Sequence, residues 1–178
     1  MTQLHWHEEP IAKAHPRDAF DCGDAALNTF LRKFARQNHE SGGGKTFLAV
    51  ANDDGRVLGF YTLTLATAEY DDTPESLRRG LARHPIPGFR LARLATDLTV
   101  RGQGLGAQLL LAAGKRCLRV ADEAGGVALY IDAKNDRVAR WYETFGALRL
   151  SVSEPTLPIP LVIPLRTIAN VLKTAGKL

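Results

Sequence analysis

The stretch VRGQGLGAQLL, residues 100–110, joins a glycine-rich turn to the start of an apolar helix. Arg101 is followed by glycines at positions 102, 104 and 106, which lead into a run of Leu and Ala residues. The N-terminus of a helix presents unpaired N–H groups and the positive end of the helix dipole, so it attracts anions. Glycine allows phosphate oxygens to approach the backbone because no Cβ lies in the way. The stretch therefore predicts a phosphate-binding turn between a strand and a helix.

Several interpretations of this turn compete, one of them a tight turn without a ligand. A P-loop is excluded because no Gly-Lys-Ser/Thr sequence follows the glycines. A dinucleotide fingerprint is matched by Gly102, Gly104 and Ala107, with Asp132 at the end of the next strand as a ribose ligand. That fingerprint normally opens a fold, whereas four predicted elements precede it here. The pyrophosphate loop of coenzyme A, R/Q-x-x-G-x-G/A, is matched from Arg101 to Gly106.

The composition is that of one globular domain. The chain has 178 residues, 45% of them hydrophobic, with a net charge of +4 and a pI of about 9.3. It has no apolar run of transmembrane length and no signal peptide, and the distant residues Cys22 and Cys117 do not have metal-ligand spacing. We expect a cytoplasmic protein without a metal site, whose mild positive charge permits a polyanionic partner.

Hydrophobic periodicity predicts an α/β fold with a mixed sheet. Residues 53–55, Asp-Asp-Gly, predict a hairpin between two strands. Prolines predict that residues 157–165 form an edge strand. We expect a single domain over residues 1–178, with residues 1–10 flexible and residues 166–178 forming a C-terminal helical tail. The hairpin strands are predicted over 46–52 and 56–68. The remaining predicted elements are helices over 24–38, 74–79, 104–123 and 135–146 and strands over 89–100 and 127–133.

Three stretches together resemble the GNAT N-acetyltransferases. They are RLATDLTVRGQGLGAQLL (residues 93–110), NDRVARWYETFGALRL (135–150) and the opening FDCGDAALNTFLRKFARQNHESGGGKTFLAV (20–50). With GFYTL and LARLATD, the opening is similar to the GNAT toxins of bacterial toxin–antitoxin pairs, the TacT and AtaT type. The resemblance covers roughly residues 20–165. It implies a single GNAT-like domain with a central, mostly antiparallel sheet that is splayed at the cofactor strand and flanked by helices.

The resemblance also implies an activity and its partners. Toxins of this type use acetyl-CoA to acetylate the amino group of aminoacyl-tRNA, which stops translation. A ribbon–helix–helix antitoxin, a homodimer and no membrane association are implied with it. Two alternatives stay open, namely acetylation of a small-molecule amine or a protein N-terminus, and a CoA-binding interaction module without catalysis.

Specific residues are implied by position in the family motifs. Tyr142 is implied as the general acid that protonates the leaving thiolate. Its other interpretation is packing, since Trp141, Tyr142 and Phe145 are spaced as an aromatic patch on a helix. Asn135 is first of all an N-cap and secondarily a cofactor contact. The implied cofactor-binding residues are Leu94, Ala95, Thr96, Arg101, Gly102, Gln103, Gly104, Leu105, Gly106, Ala107 and Asn135.

The sequence shows no general base. FRLARLATD has no Glu, and Asp97 lies beyond the reactive region, where we expect it to cap a turn. A peptide α-amine has a pKa of about 8, against about 10.4 for lysine, and an ester lowers it further. The missing base therefore favours an α-amino substrate over a lysine side chain.

Arginines precede the cofactor strand and are candidates for tRNA contact. A run of charges is usually a solvated surface, but phosphate contact is the functional interpretation of this one. Little aromatic sequence is interleaved, so the sequence does not support base stacking. His5 and His7 are not predicted to bind metal. The residues we assign to tRNA binding are Arg78, Arg79 and Arg93.

Overall fold

Seven strands form one sheet in a mixed α/β fold. The computed structural model describes residues 3–176. The strands of that range are β1 (Trp6–Pro10), β2 (Lys45–Ala51), β3 (Val57–Ala68), β4 (Ile86–Thr96), β5 (Ala128–Ala133), β6 (Leu148–Arg149) and β7 (Ile159–Pro164). Their order is β1-β2-β3-β4-β5-β7-β6.

The pairing confirms a mostly antiparallel sheet. β4 and β5 pair in parallel, and the pairs β1–β2, β2–β3, β5–β7 and β6–β7 are antiparallel. The parallel pairing covers Gly88–Leu91 of β4, although this strand continues to Thr96. Leu94–Thr96, the predicted cofactor segment, therefore lies beyond that ladder.

Helices lie between the strands along the chain and after the last strand. α1 (Ala25–Thr29), a π-helical segment (Phe30–Phe34) and α2 (Ala35–Ser41) follow one another without a break. Asp24 caps α1 by accepting hydrogen bonds from the N–H groups of Ala26 and Leu27. The remaining helices among the described residues are α3 (Glu75–Arg78), α4 (Leu105–Ala124), α5 (Asp136–Glu143) and α6 (Leu165–Thr174).

Contacts group the described residues into two compact units. The first comprises residues 3–64 and 92–113, and its apolar cluster includes Phe30 and Phe60 with rings stacked at 6.2 Å. The second comprises residues 65–91 and 114–176, and its cluster includes Ile86 and Tyr130. The Tyr130 hydroxyl donates a 2.7 Å hydrogen bond to the Ile86 carbonyl oxygen.

The predicted flexibility of residues 1–10 is wrong for Trp6–Pro10, which form β1. Trp6 Nε1 donates a hydrogen bond to Gln108 Oε1 at 2.7 Å, and Glu8 accepts one from the Tyr61 hydroxyl at 2.7 Å. These partners are distant in sequence, so the polar stretch WHEEP gave no local signal of a strand.

The predicted edge strand at residues 157–165 is also wrong, because β7 lies between β5 and β6. Pro160 and Pro164 lie near its ends, while Leu161–Ile163 are fully buried. The Pro160 carbonyl oxygen still accepts a hydrogen bond from the Leu150 N–H at 3.0 Å, since proline loses only its donor.

The C-terminal helix begins at Leu165, and positions 177–178 of the predicted tail lie outside the described residues. Across residues 3–176, no helix combines the length and the apolar character that crossing a membrane requires.

Candidate active site

Gly102 and Gly104 form the turn that leads into α4. Their φ angles are +79° and +82°, and a Cβ at either position would have no heavy atom within 4 Å. The backbone conformation, not close packing, therefore requires glycine here. The space beside the turn is open, and the first N–H groups of α4 have no partner within the helix. A pyrophosphate fits this arrangement of donors and helix dipole.

The other predicted residues of the turn differ in exposure. Gln103 is exposed, Leu105 is buried and packs into the core, and Gly106 and Ala107 are half-buried. The Gln103 N–H donates to the Val100 carbonyl oxygen at 3.3 Å, which closes the turn before the helix.

Asp97 anchors the chain between β4 and the glycine turn. Its carboxylate accepts hydrogen bonds from the N–H and the hydroxyl of Thr99 and from the N–H of Asp21, at 2.6–3.0 Å. Burial raises the pKa of this carboxyl, but these hydrogen bonds outweigh burial, so the pKa lies below its ordinary value. Asp97 caps the short 3₁₀ turn Leu98–Val100, as the sequence predicted.

Arg101 is exposed at the start of the turn. Its Nη2 donates a hydrogen bond to the Cys22 carbonyl oxygen at 3.2 Å. This holds the guanidinium against the segment before α1, and its remaining N–H groups are still able to bind an anion.

Leu94, Ala95 and Thr96 form the end of β4. Ala95 is buried, and its neighbours are half-buried. A Cβ on Gly59 of β3 would lie 2.9 Å from the Ala95 carbonyl oxygen and 2.9 Å from Leu109 Cδ1. Gly59 thus permits the close approach of β3 to the predicted cofactor strand. Gly59 was not predicted as a functional residue, although a glycine inside the strand GFYTL is a recognised signal of close backbone approach.

Tyr142 lies on α5, in the second unit. Its ring is buried, and burial raises the pKa of its hydroxyl well above the ordinary value. Within residues 3–176 this hydroxyl forms no hydrogen bond. A general acid has to be protonated before it reacts, and the raised pKa keeps this hydroxyl protonated.

The predicted aromatic patch is present on α5. The Trp141 ring lies 4.9 Å from that of Tyr142 and 4.8 Å from that of Phe145, both edge to face. Tyr142 therefore contributes to the packing of this patch. Asn135 is the N-cap, because its Oδ1 accepts a 2.9 Å hydrogen bond from the Val138 N–H.

Arg78 and Arg79 are the last residue and the C-cap of α3 in the second unit. Arg78 donates to the Tyr70 carbonyl oxygen at 3.2 Å and lies 5.0 Å from the centre of the Tyr70 ring. Arg83 forms two 2.9 Å hydrogen bonds with Asp71. Arg79 is exposed, and its side chain forms no ion pair or hydrogen bond with the described residues. Of these three arginines, Arg79 is therefore the one whose guanidinium is most accessible to a phosphate.

Arg93 lies in the first unit, where its guanidinium carbon is 3.6 Å from the centre of the Phe30 ring. Burial lowers the pKa of this half-buried guanidinium. The described residues contain no carboxylate within ion-pair distance of it.

The structure gives Asp132 a partner that the sequence did not identify. Its carboxylate forms an ion pair with Arg90 of β4. The ribose contact required by the dinucleotide fingerprint would compete with this pair. The part of the chain that the structure describes has no group of three or more His, Cys, Asp or Glu residues arranged to hold a metal ion.

The model of the acetyltransferase (GNAT) domain matches residues 44–146. A tRNA-acetylating toxin of Mycobacterium tuberculosis is 36% identical over 153 residues, which cover 86% of this chain and 88% of that protein. A probable toxin TacT of Sinorhizobium fredii is 27% identical over 173 residues, which cover 92% and 93% of the two chains. The chain belongs to the GNAT acetyltransferase family.

Solved structures of AtaT have the same fold. AtaT complexed with acetyl-methionyl-tRNAfMet superposes with a TM-score of 0.86 at 26% identity, covering 94% of this chain and 99% of that one. A tyrosine-to-phenylalanine mutant of AtaT, bound to acetyl-CoA and the C-terminus of the antitoxin AtaR, gives 0.78 at 25% identity, covering 94% and 98%.

Proposed function

We propose that this protein is an acetyl-CoA-dependent N-acetyltransferase that acetylates the α-amino group of aminoacyl-tRNA and acts as a toxin by stopping translation. The observation that carries the proposal is the open glycine turn before α4, in a chain similar over most of its length to a tRNA-acetylating toxin. The AtaT complex with acetyl-methionyl-tRNAfMet supports the same substrate class.

The glycine turn binds the pyrophosphate of the cosubstrate in this proposal. Acetyl-CoA supplies the acetyl group as a thioester. The N–H groups of residues 102–107 and the guanidinium of Arg101 hold the phosphates, and backbone groups of Leu94–Thr96 hold the pantetheine chain. A backbone N–H of that segment stabilises the oxyanion that develops on the acetyl carbonyl.

Tyr142 supplies the proton that the leaving thiolate requires. Its Oη is protonated throughout the physiological range because burial raises its pKa. An acid of this kind donates only when a strongly basic group develops beside it, which a thiolate does as the C–S bond breaks.

No residue of β4 acts as a general base for the substrate amine, since this strand carries no carboxylate. The carboxylate of Asp97, directly after the strand, is occupied by Thr99 and Asp21. A neutral α-amine therefore has to be selected from solution, and the aminoacyl ester suits this because its pKa is lower than that of lysine.

Arg78, Arg79 and Arg93 contribute to binding of the tRNA phosphates, which gives affinity without sequence recognition. A toxin of this type acts in the cytoplasm, where charged tRNA is present. We also propose a ribbon–helix–helix antitoxin as partner and a homodimer as the active assembly; the AtaT complex with the AtaR C-terminus supports an antitoxin.

The test is acetylation of charged tRNA in vitro with labelled acetyl-CoA, paired with growth after expression in bacteria. We expect acetylated aminoacyl-tRNA from the wild type, arrest of growth, and loss of both effects in Tyr142→Phe. A wild type that acetylates simple amines but neither acetylates charged tRNA nor slows growth would leave the acetyltransferase standing without its toxin role.

A further inference from the structure

The first unit contains a cavity of about 420 Å³ that the proposed chemistry does not use. It lies beside the π-helical segment, a geometry that is rare and frequently found at functional sites. We call it the π-helix cavity. Its lining residues are Phe30, Phe34, Gln37, Asn38, Ser41 and Arg93.

Arg93 gives this cavity a positive charge that no acid balances. Its guanidinium is packed on the Phe30 ring at 3.6 Å, and Phe30 itself is fixed by stacking on Phe60. No ion pair of Arg93 occurs within residues 3–176. A planar guanidinium that is held in place and partly desolvated binds a phosphate well, because little side-chain entropy remains to be lost.

Phe34 gives the cavity an exposed aromatic surface. Its side chain is 55% exposed, and its ring contacts no other aromatic ring among the described residues. Phe30, one turn earlier, also lines the cavity but is buried, so Phe34 supplies the exposed ring. An exposed ring beside a cation is the combination that stacks a base and holds its phosphate.

Arg93 directly precedes the predicted cofactor segment Leu94–Thr96 in β4. Alternate residues of a strand share a face, so Arg93 lies on the same side as Ala95, about 7 Å along the strand. The π-helix cavity, which Arg93 lines, is therefore adjacent along β4 to the segment where the acetyl group is proposed to be held.

We propose that the π-helix cavity binds one nucleotide of the unpaired 3′ end of tRNA, with the base stacked on Phe34 and the phosphate held by Arg93. Gln37, Asn38 and Ser41 supply amide and hydroxyl groups for the edge of the base. This assignment rests on the proposed function and specifies which part of the RNA the first unit recognises. Phe34 and Arg93 are far apart in sequence, which explains why base stacking was not predicted.

Binding is tested with an uncharged acceptor-stem RNA whose unpaired 3′ end carries 2-aminopurine, and with the same RNA lacking the unpaired end. The wild type should bind the first RNA more tightly and quench its fluorescence by stacking. Phe34→Ala should weaken this binding about 10-fold and remove the quenching, since the variant loses one base stack. Phe34→Tyr retains an aromatic ring and should retain both effects.

Two further variants separate the contributions. Arg93→Gln should weaken binding because it removes one phosphate contact. The slope of log affinity against log salt should then fall in magnitude by roughly one. Leu65→Ala, which removes an apolar side chain that is 78% exposed outside the cavity lining, should bind both RNAs like the wild type. Thermal unfolding checks that every variant is folded.

Equal affinity of the wild type for the two RNAs, or equal weakening of both by Phe34→Ala, overturns the assignment. So does a Phe34→Ala variant that changes the oligomeric state by sedimentation and leaves RNA binding intact, because the ring would then contact protein. These measurements use neither acetyl-CoA nor charged RNA. A wild type that binds the 3′ end but acetylates no charged tRNA would therefore contradict the proposed function and leave this assignment in place.

Discussion

A Cβ at Gly59 of β3 would lie 2.9 Å from the carbonyl oxygen of Ala95 in β4. The obstructing atom belongs to the backbone, so it cannot rotate away as a side chain would. Gly59→Ala must therefore displace the strand that carries Leu94–Thr96. We expect it to lower the free energy of unfolding by about 1–3 kcal/mol and to weaken acetyl-CoA binding, measured by denaturation and calorimetry.

Leu65→Ala is the control for this substitution, because it alters an exposed residue of the same strand. It should change the free energy of unfolding by less than about 0.5 kcal/mol. A Gly59→Ala protein with unaltered stability and cosubstrate affinity would show that β3 and β4 separate easily.

Gly104→Asp should abolish acetyl-CoA binding in calorimetry. The substitution places a side chain and a negative charge in the open space beside the turn, where the phosphates are proposed to bind. Gly125→Asp is a matched control. Gly125, after the last turn of α4, has φ +83° against +82° for Gly104, and its Cβ would also meet nothing within 4 Å. Both variants have the same backbone strain, so a similar loss of binding in the control would refute a specific site at Gly104.

The sequence predicted the features that depend on local chemistry. The glycine turn, the Asp97 and Asn135 caps and the order of strands and helices from β2 to α5 follow from short-range patterns. The two-residue strand β6 was not predicted. Features that depend on distant partners were missed. Side chains of β1 form hydrogen bonds with Gln108 and Tyr61, which are distant in sequence. Phe34 and Arg93, which line the π-helix cavity, are also distant in sequence, so no local pattern predicts either arrangement.

Tyr142→Phe should lower kcat by roughly 100-fold or more and leave thermal stability unchanged. The ring stays in place, and within the described residues its hydroxyl has no hydrogen-bond partner that the change would break. Tyr130→Phe provides the opposite case, because the Tyr130 hydroxyl donates to the Ile86 carbonyl oxygen inside the core. That variant should lose about 1–2 kcal/mol of stability and retain turnover. Normal turnover in Tyr142→Phe would leave Tyr142 as a packing residue.

The pH dependence of kcat/KM should follow the substrate amine. The rate should rise as the amine loses its proton, up to a pH near its own pKa of about 8 or lower. Burial raises the pKa of Tyr142, so the acid stays protonated and no descending limb should appear below about pH 10. Two amines of different pKa provide the measurement, since the ascending limb should move with the amine. If the ascending limb lies at the same pH for both amines, it reports the titration of a general base on the enzyme instead.

Arg79→Gln should weaken tRNA binding more than Arg83→Gln. The Arg83 guanidinium is already neutralised by Asp71, whereas that of Arg79 is exposed and has no partner recorded among residues 3–176. Loss of one phosphate contact should lower the slope of log affinity against log salt by roughly one in Arg79→Gln. Anisotropy with labelled tRNA over a range of salt measures both slopes, and calorimetry should show unaltered acetyl-CoA affinity. Equal slopes for the wild type and Arg79→Gln would mean that α3 lies outside the RNA interface.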